Sequence, residues 1–141
     1  MSVYADSSFI VSLYVRDEHS PEARRRIREV SSLVFTALHR AEWAHALAKQ
    51  QFWGNLTAEK SEQFDAQLAS DQAAGLWRPT ALPELAFDLC AELARHHGPK
   101  LGVRTLNSLH VACALELKAE RFWTFDERQA KLARAEGLKT A

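Results

Sequence analysis

The stretch Ser2-Val3-Tyr4-Ala5-Asp6-Ser7-Ser8 constrains this chain more than any other. Val3, Tyr4 and Ala5 read as a short buried strand. A carboxylate and two hydroxyls follow at once, and then the apolar helical run Phe9, Ile10, Leu13, Tyr14. A strand this early in the chain is expected in mid-sheet. If later strands run parallel to it, their carboxyl ends share one edge, where open α/β sheets take their ligands, and Asp6 lies on that edge. Asp6 also suits a second role, because Asp ahead of an apolar-periodic run is a favoured helix N-cap. Both roles stay open at this point.

The 141 residues give room for one domain with a sizeable core and too little for two ordinary ones, so a single domain over 1–141 is expected. Hydrophobic residues at 47% and charged residues at 26% exclude extended disorder. Lys plus Arg and Asp plus Glu balance at 18 each, which argues against a strongly basic nucleic-acid binder and leaves room for local basic patches over an acidic pocket. No apolar run approaches the roughly 20 residues of a membrane span, and a cytoplasmic protein without a membrane partner is expected. Cys90 and Cys113 lack metal-site spacing and fall on apolar helix faces, as buried free thiols do.

Along the chain, strands and helices alternate. Ser20 and Pro21 start a short helix whose Arg24, Arg25, Arg26 and Arg28 cover too much of its circumference to be buried. They form either a solvated face or a phosphate-contacting patch. Leu33-Val34-Phe35 suits a second buried strand, and it leads into an Ala-rich helix that ends near Gly54. Glu42 lies in the first or second turn of that helix. There an acid is favoured by the helix dipole alone, but this one also follows a strand end. Thr57 caps a further helix to Gly75, so that a helical pair forms an arm over about 38–75.

Leu76 to Pro79 fits a short edge strand. The spacing of Leu82, Leu85, Ala86, Leu89, Cys90 and Leu93 predicts an amphipathic helix ending at His96-His97-Gly98-Pro99. From Thr105 a helix that is apolar almost all round carries Asn107 and His110 on one face. These are either satisfied core residues or the lining of a pocket beside Asp6. Arg121 to Phe125 is the best strand after the first. Asp126 with Gln129 then resembles a capping box, Gly137 ends the last helix, and the tail can add a short strand.

Asp6, Glu42 and Asp126 all follow strand ends of a predicted parallel sheet, a grouping of oxygens that hard divalent cations need. With these acids, the segments Tyr4 to Ser8, Ala41-Glu42, Arg104 to Ala112 and Phe122 to Asp126 resemble, in order and spacing, the PIN-domain ribonucleases. The similarity is to the VapC-like toxins of bacterial toxin-antitoxin modules. It implies a PIN-like three-layer α/β/α domain with a central parallel sheet of four or five short strands. It further implies an endoribonuclease in which Asp6, Glu42 and Asp126 hold Mg²⁺ or Mn²⁺ while Ser7 and Thr124 orient those carboxylates by hydrogen bonds. The remaining family acid falls on Asn107, which keeps the shape and a carbonyl oxygen but removes a charge. The same resemblance implies an RNA substrate, with Arg24, Arg25, Arg26 and Arg104 as contact candidates, a homodimer, and a partner antitoxin. The alternative is a catalytically silent PIN-like module that binds RNA or protein. Neither GxxxxGK[ST] nor GxGxxG occurs, so nucleotide binding on those motifs has little support.

Overall fold

In the computed structural model, which describes residues 2–140, four three-residue strands alternate with seven helices. The strands are β1 (Val3–Ala5), β2 (Leu33–Phe35), β3 (Trp77–Pro79) and β4 (Arg121–Trp123). The helices are α1 (Ser7–Ser12), α2 (Ser20–Ile27), α3 (Ala37–Phe52), α4 (Ala58–Ala73), α5 (Leu85–Leu101), α6 (Thr105–Glu116) and α7 (Glu127–Ala135). All pairing is parallel: β1 with β4 and β2 with β3. The fold class is the α/β one that the alternation predicts. Its contacts group into two compact units, one running to Phe9 and resuming at Leu82, the other Ile10–Ala81.

The first unit is built on the β1/β4 pair, in register Val3 to Arg121, Tyr4 to Phe122 and Ala5 to Trp123. Every β1 residue is buried, as its unbroken apolar pattern requires. Tyr4 stacks on Phe122 with ring centroids 5.6 Å apart, and Phe9 stands 5.2 Å from Trp123 and 5.5 Å from Phe125. Lys139 forms a parallel bridge with Arg121, so the tail does add a short fifth piece beside β4. Helix α6 is the buried one, with Ser108 through Ala114 all inside. Cys90 and Cys113 are free and buried, and burial pushes the Cys113 thiol up to about 11.

Gly98 and Pro99, expected to end α5, instead lie within it. The helix runs on to Leu101 and stops at Gly102, whose φ of +62° is a conformation that glycine adopts without strain. Pro99 forfeits one intrahelical bond. The packing of α5 along α6 and α7, with Ala86, Cys90 and Leu93 buried, outweighs that loss.

The second unit holds the β2/β3 pair and the antiparallel α3/α4 arm. Thr36 caps α3, Thr57 caps α4, and Trp43 Nε1 donates to Asp65 Oδ1 at 2.8 Å between the two helices. Tyr14 Oη donates to Asp71 Oδ2 at 2.5 Å and accepts from Trp77 Nε1 at 2.6 Å. This chain of bonds ties the residues after α1 to α4 and β3. No helix among the described residues is long and apolar enough to cross a membrane.

Candidate active site

Parallel pairing of β1 with β4 brings the residues beyond each strand's carboxyl end to the same edge. Asp6 continues the ladder by donating its N–H to the Trp123 carbonyl at 3.0 Å, and its side chain then turns to the residue after β4. Thr124 Oγ1 lies 2.8 Å from Asp6 Oδ2. On the other oxygen Phe9 N–H donates at 2.9 Å, and Ser8 Oγ bridges both oxygens at 3.0 and 2.9 Å. The two roles weighed for Asp6 therefore coexist: one oxygen caps α1 and the other faces the β4 edge. An ionised carboxylate offers about four acceptor sites, and Ser8 spreads its single proton over two of them.

Asp126 repeats the arrangement. Its Oδ1 accepts from Gln129 N–H at 2.9 Å as the cap of α7, and Asn107 Nδ2 stands 3.4 Å from Oδ2. The capping box is only half made, because the Gln129 amide is drawn elsewhere. Its Nε2 donates to the Asn107 carbonyl at 3.1 Å, and its Oε1 lies 2.7 Å from Thr124 Oγ1. Thr124 accepts from Asp126 N–H at 3.0 Å and has a single proton to share between Asp6 and Gln129. Thr124 thus ties the Asp6 carboxylate to the Asp126 backbone N–H.

The two acids differ in solvation. Asp6 is 5% exposed, and burial pushes its carboxyl pKa up, opposed by attraction to His110 and by the bonds from Phe9, Thr124 and Ser8. His110 is itself buried between Tyr4 Oη at 2.7 Å from Nδ1 and Ser7 Oγ at 3.2 Å from Nε2, which is the satisfied core histidine. Asn107 is half-buried on the same face of α6. Ser7, expected to orient the acids, thus has its hydroxyl on His110. Ser8 and Gln129 also bind the acids, and the sequence pattern does not single them out as site residues. Ser8 carried no signal beyond its place two residues after Asp6, and Gln129 looked like a cap partner.

Glu42 sits in the second unit, half-buried in the second turn of α3. Of the α2 arginines, Arg25 bonds Glu22 at 2.9 and 2.6 Å and Glu29 at 3.4 Å, and Arg26 bonds Glu22 at 2.8 Å. Those hydrogen bonds, Arg25 first, hold the Glu22 carboxyl down to about 2. Two of the three arginines considered for RNA contact are therefore engaged on their own helix, while Arg24 is exposed. Arg104, the fourth, is exposed ahead of α6.

Among the described residues no three His, Cys, Asp or Glu side chains stand as a ready metal cluster. The donor set at the β1/β4 edge is two carboxylates and an amide. That suits Mg²⁺, which typically takes one or two carboxylates, keeps several waters and completes its shell with a substrate phosphate. A buried Asp6 whose charge is incompletely compensated is what such an ion would neutralise.

The PIN domain family model matches residues 3–135. Ribonuclease VapC46 of Mycobacterium tuberculosis is 30% identical over 139 residues, which are 97% of this chain and 94% of that protein. Among solved structures, the M. tuberculosis toxin VapC20, which cleaves the sarcin-ricin loop, aligns with a TM-score of 0.69 at 13% identity, covering 98% of this chain and 97% of that one. A toxin-antitoxin complex from Klebsiella pneumoniae aligns with a TM-score of 0.64 at 10% identity, covering 99% and 97%.

Proposed function

Because this chain belongs to the PIN domain family and is VapC-like over nearly its whole length, we propose that it is a metal-dependent endoribonuclease, the toxin of a toxin-antitoxin pair. The observation that carries this reading is the pair Asp6 and Asp126, locked by one threonine at the carboxyl edge of two adjacent parallel strands. A structural role accounts for one oxygen of each as a helix cap. It gives no reason to bury Asp6 with its charge incompletely compensated, at a cost that a fold has no need to bear.

Asp6 and Asp126, with the side-chain oxygen of Asn107, would hold Mg²⁺ or Mn²⁺, and Glu42 is the further acid that the family resemblance implies. When bound, such an ion supplies an activated water and takes up charge on the phosphate being cleaved. The protein's own share is positioning. Ser8 and Thr124 hold the Asp6 rotamer, Gln129 and Asn107 brace the turn that carries Asp126, and burial keeps competing water off Asp6. The substrate is RNA, the regulator an antitoxin protein, the assembly a homodimer, and the compartment the cytoplasm. One observation favours the silent-module reading instead. Asn107 presents an N–H to Asp126, so that the amide stabilises this carboxylate without any cation.

A cleavage assay separates the two. With Mn²⁺ the wild-type protein should cut a structured RNA, EDTA should stop it, and Asp6→Asn should lose more than the 10- to 100-fold typical of losing an outer-shell partner. Equal cleavage by wild type and Asp6→Asn would end the nuclease reading, and no cleavage by either would favour the silent module.

A further inference from the structure

Asn107 and His110 stand one turn apart on the same face of α6, and while Asn107 reaches Asp126, His110 reaches the two elements that flank Asp6. Its Nδ1 lies 2.7 Å from Tyr4 Oη in β1, and its Nε2 lies 3.2 Å from Ser7 Oγ at the start of α1. Asp6 lies in the chain between those two contacts. The group is fully enclosed, with Tyr4 and His110 each 1% exposed and Ser7 7% exposed, and Phe122 of β4 stacks on the Tyr4 ring. The turn that His110 grips through Ser7 is also the turn that bonds the acid, since Ser8 Oγ and Phe9 N–H both reach the Asp6 carboxylate. An apolar side chain would fill the place of His110 without any need for buried partners. A satisfied polar bridge across three elements instead makes one arrangement of them rigid.

We propose that His110 is a positioning residue of the cation site: by bracketing Tyr4 and Ser7 to α6, it sets where the Asp6 carboxylate stands relative to Asn107 and Asp126. This rests on the metal-dependent reading and names the residue that keeps its donors in register. The bracket ties α6 to β1 and α1, and Gln129 Nε2 on the Asn107 carbonyl ties the same helix to α7. Such outer bracing matters most for a small ion like Mg²⁺, which demands near-ideal octahedral geometry. Geometry and charge pull in opposite directions here. A positive charge on His110 attracts the Asp6 carboxylate, but it would also repel a cation bound there. Removing the ring therefore tightens cation binding if charge is its role and weakens it if position is.

The test is Mn²⁺ binding by calorimetry at constant pH, beside thermal melts in EDTA. His110→Leu should weaken Mn²⁺ binding by roughly the 10- to 100-fold typical of a lost outer-shell partner, and Ser7→Ala should weaken it in the same direction. The double variant should bind no more weakly than His110→Leu, because Ser7 acts through the ring. His110→Gln, whose amide both donates and accepts, should bind nearer to wild type. Leu109→Ala, which removes a buried neighbour on α6, should lower the melting temperature and leave the Mn²⁺ affinity as in wild type. Unchanged affinity in Ser7→Ala, tighter binding in His110→Leu, or an equal loss in Leu109→Ala would each overturn the bracket. Ser7→Ala removes a single oxygen and decides the matter if His110→Leu does not fold. Wild-type protein that binds no Mn²⁺ would overturn the metal reading and the bracket with it, whereas a wild type that binds and variants that bind equally well refute the bracket alone.

Discussion

Asp71 accepts the Tyr14 hydroxyl at 2.5 Å, and Asp6 has the Thr124 hydroxyl at 2.8 Å, but the two networks are closed to different degrees. In the second unit every participant is consumed: Trp77 Nε1 donates to Tyr14, Tyr14 to Asp71, and Gln67 Nε2 covers the other Asp71 oxygen at 3.1 Å. Burial, then the Asp71 bond, pushes the Tyr14 phenol well above its usual range, so it stays a donor at any ordinary pH. At the β1/β4 edge the acid is deeper, and one hydroxyl is shared between two acceptors. The difference is one of burial and sharing: Asp71 is half-buried with a donor on each oxygen, whereas Asp6 is buried and receives hydroxyl protons that Ser8 divides between its two oxygens and Thr124 divides with Gln129.

The largest effects expected are on the closed network. Trp77→Ala removes a ring that is 1% exposed and should cost about 3 to 5 kcal/mol in a denaturant melt. Tyr14→Phe leaves Trp77 Nε1 and one Asp71 oxygen without their partner and should cost about 1 to 3 kcal/mol. Neither loss should depend on Mn²⁺. If Tyr14→Phe altered the metal response, the contrast between the two networks would fail.

Asn107→Asp sharpens the contrast from the other side. It replaces a donor facing Asp126 with a like charge, so the metal-free protein should lose on the order of 1 kcal/mol, the worth of about one pKa unit. Millimolar Mn²⁺ should turn that loss into a gain over wild type. Melts of the two proteins with and without Mn²⁺ check this, and identical metal dependence would remove position 107 from the site.

The pH dependence is a smaller effect, with a definite sign. The native pKa of Asp6 lies above its ordinary value of 3.8, so between the two the folded state binds more protons than the unfolded state. Stability contributed by the protonated form is present at low pH and lost as pH rises through that window. The gap in melting temperature between Asp6→Asn and metal-free wild type should therefore open from about pH 4 upward in favour of the variant and then level off. A gap of constant size would mean that burial does not set the protonation of Asp6.

Local pattern makes much of this legible in the sequence. The apolar runs at Val3 to Ala5, Leu33 to Phe35 and Phe122-Trp123 mark strands because their buried faces leave no room for polar residues. Once strands are parallel, acids after their ends share an edge, and Asp6 and Asp126 do so. What sequence did not yield depends on three-dimensional neighbours. Gly98-Pro99 reads as a stop, yet packing on α6 and α7 carries α5 through it. Gln129 satisfies the local rule for a capping box, but Thr124 and Asn107 compete for its amide. Ser7 and Ser8 look equivalent in sequence, and only the direction of α1 sends one to His110 and the other to Asp6.

The central claim is that the Asp6 corner takes a divalent cation and the Asp71 corner does not, and the direct measurement is thermal melting against Mn²⁺ concentration for wild type, Asp6→Asn and Asp71→Asn. In this account wild type and Asp71→Asn rise in parallel with Mn²⁺, the latter from a lower start, while Asp6→Asn starts above wild type and stays flat. A wild-type curve that does not respond to Mn²⁺, or an Asp6→Asn curve that rises as wild type does, would contradict it.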